Sequence, residues 1–486
     1  MSRRLPVSPA PEPLEAYVQH FDSLFAKRSQ RDAFRRYLAG LLLSTERNKT
    51  LTALANTEPV RGAQHPRAQG LQWFLSEATW RPAAVNAQRL QLLRADPLTT
   101  PDAHGVLVMD ESGDRKDGTK TAHVGRQYLA NMGKTDNGVV SVSSLWADER
   151  VYYPREVEPY TPAHWFVQGK ADPTFRTKPQ IAVELIERAV AEQWPLRAVV
   201  ADAFYGENET FHIGLHRLQV GFVVALKRSH AWWRPIEDVG SLLEVAAEAH
   251  WDGPAQPGAW ERVVRRFRDG HTEDWWAVEV VARPYGPDKP HRAVVVTTDP
   301  QHLPALTTWN LLTNLPAPGS NRAATSRFAP ARLAEIVRLY GLRMWVEQSY
   351  KQVKHALGWA EYHVRSDVAI RRHWALVWCA FSFCWWHLKH GAVDEPVGQL
   401  DADVPASEAV APKDGGGRGK NQAGAGKQRP GVCWPAALRK VRAWLEPWLM
   451  LGRSWRAWSQ RPPPPELEAL LAWIQRGFPI YLYEPL

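Results

Sequence analysis

Two short apolar runs, each followed by an aspartate, constrain this 486-residue chain more than any other feature. Val106-Leu107-Val108-Met109 leads into Asp110, and Ala198-Val199-Val200-Ala201 leads into Asp202. Runs this short and apolar read as buried strands. Val139–Leu145, Val151–Tyr153 and Gly221–Leu226 read as further strands, and Pro179–Gln193 has the periodicity of an amphipathic helix. Strands interleaved with helices predict an α/β core. In an open α/β sheet, ligands bind beyond the carboxyl ends of the strands. Both aspartates, each expected to end its strand, are therefore candidate site residues. Taken singly, an Asp after a strand is more often a helix N-cap or a turn former.

The texture elsewhere divides the chain. Residues 1–13 carry four prolines and read as a flexible tail. From Leu14 to Leu93 apolar residues recur at helical spacing, among them Leu24, Phe25, Tyr37, Leu38, Leu71, Trp73 and Phe74, predicting an all-helical domain over 1–100. The α/β core begins in 101–232. Within 233–300, Trp260–Phe267, Trp275–Ala282 and Ala293–Thr298 are separated by turn signals such as Asp269-Gly270, predicting a β-rich insertion. The core resumes over 301–390, with long helices expected at Pro330–Gly358 and Asp367–His390. Residues 391–431 are Gly-rich and of low complexity, and read as a disordered linker. A short helical tail follows over 432–486, with helices at Pro435–Leu451 and Pro465–Arg476. No internal repeat is evident.

Lys plus Arg number 60 against 51 Asp plus Glu, a formal charge of +9 that suits a polyanionic partner. Residues 301–390 are the most basic part of the α/β half, with eleven Lys or Arg against four Asp or Glu, and they surround Glu347. Three cysteines exclude a disulfide scaffold and a four-cysteine zinc site. Cys379 and Cys384, set among aromatics, read as buried thiols in a reducing, cytoplasmic compartment. No apolar run reaches the length of a membrane span, and the start lacks the apolar core of a signal peptide. Most of the 24 Trp are expected in the core.

Asp110, Asp202 and Glu347 together suit metal-assisted phosphoryl transfer. Two divalent ions roughly 4 Å apart stabilise the attacking and leaving oxygens of an in-line displacement. Hard Mg²⁺ takes oxygen ligands, and carboxylates with phosphate oxygens supply them. Without metal, clustered carboxylates raise each other's proton affinity. The plainer alternative for Glu347 is pairing with Arg343 and Lys351, one turn away on either side.

Tyr340, Arg343, Glu347 and Lys354 match the pattern Tyr-x2-Arg-x3-Glu-x6-Lys. This resembles the signature around the catalytic Glu in the IS4 superfamily of DDE transposases. The segment from Met109 to Gly118, and His123-Val124-Gly125-Arg126-Gln127-Tyr128 after it, resemble the first-Asp motif of the IS701 family in that group. Val200-Ala201-Asp202-Ala203-Phe204-Tyr205-Gly206 is similar to the second. The resemblance covers roughly residues 20–390. It implies an RNase H-like catalytic core, with the insertion accounting for the long stretch between Asp202 and Glu347. It implies Asp110, Asp202 and Glu347 as a catalytic triad holding Mg²⁺, with Mn²⁺ able to substitute.

The resemblance also implies DNA contacts near the scissile phosphate for Tyr340, Arg343 and Lys354. On one straight helix these share a face with Glu347 and Lys351, and Arg, Lys and Tyr are all phosphate donors. Arg115, Lys116 and Arg126 beyond Asp110, and Lys227 and Arg228 after the third apolar run, are further candidates for DNA contact. Trp232 and Trp233 are candidates for base stacking. The helical block is the expected reader of element ends, with Arg28, Arg31, Arg35, Arg36, Arg47 and Lys49 as phosphate contacts. The implied activity is transposition of double-stranded DNA: binding terminal inverted repeats, cleaving, and joining 3′-hydroxyl ends to target DNA, as a homodimer in the synaptic complex. A transposase-derived DNA-binding regulator and an RNase H-like endonuclease are the alternatives.

Overall fold

A computed structural model of the chain describes residues 10–44, 48–55, 64–228, 231–233, 239–267, 271–280, 291–304, 307–390, 433–458 and 462–479. The expected linker at 391–431, Arg47 and most of the N-terminal tail lie outside these residues. Among them, no helix is long and apolar enough to cross a membrane.

The chain opens with helices α1 (Glu12–Val18), α2 (Arg28–Leu42), α3 (Leu51–Leu54), α4 (Pro66–Ser76) and α5 (Pro82–Ala95). Then come strands β1 (Val106–Arg115), β2 (Gly125–Leu129), β3 (Lys134–Ala147) and β4 (Tyr152–Tyr160). Helix α6 (Lys178–Ala191) leads to β5 (Ala198–Ala201), α7 (Ala203–Gly206), α8 (Glu209–Arg217) and β6 (Phe222–Ala225). Next are β7 (Ala231–Trp233), β8 (Val239–Ser241), α9 (Leu242–Ala247), β9 (Glu261–Arg266), β10 (Thr272–Val280), β11 (Arg292–Thr297) and β12 (Trp309–Thr313). The remaining helices are α10 (Asn321–Thr325), α11 (Leu333–Gly341), α12 (Met344–Leu357), α13 (Asp367–His390), α14 (Trp434–Trp458) and α15 (Pro465–Gln475).

The architecture is mixed α/β around a ten-stranded sheet in the order β2-β3-β1-β5-β6-β12-β11-β10-β9, with β4 also on β3. β1, β5 and β6 run parallel, and β3 is antiparallel to β1. The strands read as an insertion, β9, β10 and β11, continue this sheet through β12, which pairs antiparallel with β6. α6 is started by a reciprocal cap between Thr177 and Gln180 and buries Ile181, Leu185, Ile186 and Ala189.

Two sequence expectations are corrected here. β1 does not end at Asp110 but runs on to Arg115, because β3 remains paired with it as far as Arg115. Its parallel pairing with β5 does stop there, with Met109 opposite Ala201. That register makes Asp110 and Asp202 the next residues on adjacent strands, where the sheet opens. The second correction concerns the helix expected over Pro330–Gly358, which is two helices. Around Leu342–Val346 the backbone tightens, and Arg343, Trp345 and Val346 each donate to the carbonyl three residues back. Gly341 lies at the break, where an added Cβ would stand 3.0 Å from the Arg265 guanidinium.

α13 is apolar nearly all round and buried along its length, as expected for a helix enclosed by others. The N-terminal helices enclose it. Tyr17 Oη donates to the Cys379 carbonyl at 3.2 Å, and Tyr37 Oη meets His373 Nδ1 at 2.8 Å. Arg372 donates to the carbonyls of Leu75, Ala78 and Trp80, closing the end of α4. Three of the basic residues expected to contact phosphates turn inward. Arg31 donates to the Phe25 carbonyl, Arg35 pairs with Glu15 and Asp22, and Lys49 donates to the carbonyls of Gly40 and Leu43. Arg31, Arg35 and Lys49 are buried and do not face solvent as phosphate contacts must; Arg28 is exposed and Arg36 pairs with Asp32.

Candidate active site

Side chains alternate along β1, so Asp110, Ser112 and Asp114 share one face and Glu111 takes the other. α12 covers the first face. Tyr350 bonds Ser143, the residue opposite Asp110, at 2.6 Å, and Lys354 pairs with Asp114 at 2.7 Å. α6 covers the second, where Lys178 pairs with Glu111 at 2.7 Å.

The three expected carboxylates meet on one group. Arg343 Nη1 lies 2.9 Å from Glu347 Oε1, and Nη2 lies 3.4 Å from Asp110 Oδ2 and 3.9 Å from Asp202 Oδ2. Since they share one nitrogen, the Asp110 and Asp202 oxygens are no farther apart than the sum of those two distances. Asp202 is also the N-cap of α7, its Oδ1 accepting from the amides of Phe204 and Tyr205. The plain readings of Asp202 as a cap and Glu347 as an Arg343 partner are thus both realised, by the same residues that form the cluster.

Electrostatics follow from burial. Burial pushes the Asp110 carboxyl up to about 7, with Arg343 opposing and the Asp202 charge adding to the rise. Although its own burial works against it, Arg343 is held above the usual guanidinium range by the carboxylates around it, Asp110 foremost. Tyr340, at the end of α11, is pushed up to about 12 by burial and packs edge-on against Trp309 at 4.9 Å.

Among the described residues, no three His, Cys, Asp or Glu side chains stand close enough together to hold a metal ion as placed. In this cluster the Arg343 guanidinium stands among the three carboxylates. The donor set is all carboxylate oxygen and carries more negative charge than one guanidinium neutralises, which fits a hard divalent cation in donor type and charge.

The other expected contacts are scattered. Lys351 is exposed on α12, one turn past Glu347. Lys354 does not point to solvent: besides Asp114, its Nζ donates to the Gly113 carbonyl at 2.9 Å. Lys116 folds inward, donating to the Ala360 carbonyl at 2.8 Å over the Tyr362 ring, and burial lowers it to about 8. Arg115 is exposed beside Asp117 and Asp136. Arg126 is exposed on β2, and Arg228 is exposed after β6. Lys227, also exposed, pairs with Glu207 at 2.8 Å. The side chains of Trp232 and Trp233 lie outside the description.

Three neighbours escaped the sequence reading. Asp114 was signalled by the alternation that continues past Asp110, and Tyr350 by its place one turn beyond Glu347. His123, in the left-handed region with φ 67°, bonds Thr161 Oγ1 at 2.8 Å and Asp367 Oδ1 at 2.7 Å, pinning the segment after β1 to α13. Only its place in the motif downstream of Asp110 hinted at that.

The chain is similar to known proteins. Residues 20–278 fit the family model described as DDE superfamily endonuclease, a span that holds Asp110 and Asp202 and ends before Glu347. The chain is 31% identical over 364 residues, 74% of its length and 83% of the relative's, to the probable transposase for insertion sequence element IS701 of Microchaete diplosiphon. With the family model covering more than half of it and the relative aligned over 74%, the chain belongs to the IS701 family of DDE transposases.

Proposed function

We propose that this protein binds the terminal inverted repeats of its own insertion sequence, cleaves the DNA at their ends and joins the freed 3′-hydroxyls to target DNA. The observation that carries the reading is the convergence of Asp110, Asp202 and Glu347, from β1, the β5–α7 junction and α12, on one guanidinium. The strand order β4-β3-β1-β5-β6, with β3 antiparallel to three parallel neighbours, supports an RNase H-like core.

The residues divide the work. Asp110, Asp202 and Glu347 would hold the metal, for which Mg²⁺ is the proposed ion and Mn²⁺ a substitute. When bound, such ions lower the barrier to in-line attack at phosphorus by neutralising charge on the attacking and leaving oxygens. Arg343 offers a planar fork to a phosphate, and Lys351, Arg126 and Arg228 present exposed charges to the backbone of the DNA. Tyr340 stays a neutral hydroxyl beside the cluster. Cleavage and joining are successive displacements at phosphorus, so no covalent protein–DNA link is needed. Two ends must be brought together, which calls for at least two subunits.

The test is excision and joining of a marker flanked by the element's repeats, comparing the unmodified protein, Glu347→Gln and a metal-free reaction. Metal-dependent excision with joined products, lost in Glu347→Gln, is expected. Cleavage without joining would make the protein a nuclease, and binding without cleavage a regulator.

A further inference from the structure

Arg343 is the best-connected residue of the cluster, yet it is poorly satisfied. Only its contact to Glu347, at 2.9 Å, has the length of a charge-assisted hydrogen bond. Nη2 is divided between Asp110 and Asp202 at 3.4 and 3.9 Å. Among the described residues, Nε is buried with no hydrogen-bond partner. One positive charge thus faces three carboxylates, two of them through long contacts, and with a donor unused.

The guanidinium and a divalent ion cannot share this place. Mg²⁺ takes oxygens at about 2.1 Å, so an ion held by these carboxylates would lie against the guanidinium that now faces them, and the two positive charges would repel each other. Arg343 has somewhere else to go. It lies on the tightened turn between α11 and α12, with its side chain 19% exposed, so the guanidinium can swing outward by rotation of its own bonds. A fork released there stands next to the carboxylates, where a phosphate of the bound DNA belongs.

Resting on the triad reading above, we propose that Arg343 is an internal counter-ion of the cluster that divalent metal displaces, and that its release makes it available to the DNA phosphate. Metal loading and phosphate capture are then coupled: each favours the other because both require Arg343 to leave the carboxylates. Before metal arrives, Arg343 holds the triad together against its own repulsion.

The experiment is Mn²⁺ titration of the full-length protein by calorimetry, with no DNA and then with a duplex bearing one terminal repeat. Arg343→Gln, Arg343→Lys and Glu347→Gln are compared with the unmodified protein, each checked for an unchanged circular dichroism spectrum. Without DNA, Arg343→Gln is expected to bind Mn²⁺ at least about fivefold more tightly than the unmodified protein, the lower end of a typical coupling between sites. Arg343→Lys, which keeps the charge, stays near the unmodified value. Added duplex should tighten Mn²⁺ binding to the unmodified protein and leave Arg343→Gln nearly unchanged. Equal or weaker Mn²⁺ binding by Arg343→Gln overturns the proposal while leaving the triad reading intact, provided Glu347→Gln binds more weakly. If Arg343→Gln does not fold, the duplex effect on the unmodified protein decides: no tightening overturns the coupling. Absence of Mn²⁺ binding by the unmodified protein overturns both.

Discussion

Replacing Lys354 by Met tests whether this residue is a DNA contact, as its place in the signature suggests, or a clamp between helix and sheet. In the structure its Nζ is 2.7 Å from Asp114 Oδ1, with the two side chains 15% and 1% exposed, and it also donates to the Gly113 carbonyl. Removing one partner of a buried pair leaves the other charge uncompensated, typically at 3–5 kcal/mol. Lys116 also interacts with Asp114 and softens the loss, so about 3 kcal/mol is expected. For a large cooperative unit this lowers the melting midpoint by roughly 5 °C. Asp114→Asn with Lys354→Met removes both charges and should recover more than half of the loss. The assay pairs thermal melting with the salt dependence of binding to a repeat-bearing duplex. A lost phosphate contact reduces the slope of log K against log salt by about 0.9; Lys354→Met should leave that slope unchanged. A variant that melts within about 1 °C of the unmodified protein yet loses that slope would refute the clamp.

The remaining expectations concern other parts of the fold. With the Asp110 carboxyl near 7, Mn²⁺ affinity should rise steeply between pH 6 and pH 8, since metal binding requires the ionised form, and a flat profile counts against the site. Because the folded state holds that proton more tightly than the unfolded chain does, metal-free stability from this group should fall as pH rises from about 4 to 7, by a few kcal/mol, and Asp110→Asn should flatten the curve in urea melts. Gly206→Ala places a Cβ 1.9 Å from the Ala225 carbonyl oxygen, so it must displace the α7 turn that Asp202 caps; excision should drop at least about tenfold, equivalent to roughly 1.4 kcal/mol in the barrier, and normal activity would show the turn can give way. Arg372→Met leaves three carbonyls at the end of α4 without their donor and should lower the melting midpoint by several °C, about 2–3 kcal/mol, with no direct effect on Mn²⁺ affinity in the folded protein.

What could be read from the chain alone was local. The apolar runs before Asp110 and Asp202 announce buried strands, because strand burial leaves a contiguous signal over four residues. Arg343 and Glu347 were visible as a pair one turn apart. The extension of β1 past Asp110 was not, since Glu111-Ser112-Gly113-Asp114 looks like a polar turn until β3 is laid beside it. The break near Leu342 was hidden because the apolar spacing continues across it, and the Arg265 guanidinium beside Gly341 comes from a distant strand. The inward turn of Arg31, Arg35 and Lys49 was equally invisible. Arg35 finds Glu15 twenty positions away, and Arg31 and Lys49 find backbone carbonyls, which carry no sequence identity. Basic residues on an amphipathic helix look the same whether they face water or a buried acceptor.

α13 gives this enzyme no detachable front end. His373, Trp378, Phe383 and Trp386 of that helix meet Tyr37, Arg89 and Tyr17 of the N-terminal helices, while Trp385 meets Tyr152 of the sheet. A shortened product that begins at the sheet, from an internal start or a proteolytic nick, would carry a bare tryptophan-rich surface into water. Such a fragment would aggregate or be degraded rather than persist as a catalytic half, or as a competitor that occupies element ends. The N-terminal helices and the sheet therefore fold on one shared helix, and truncation of the first should cost the second its solubility.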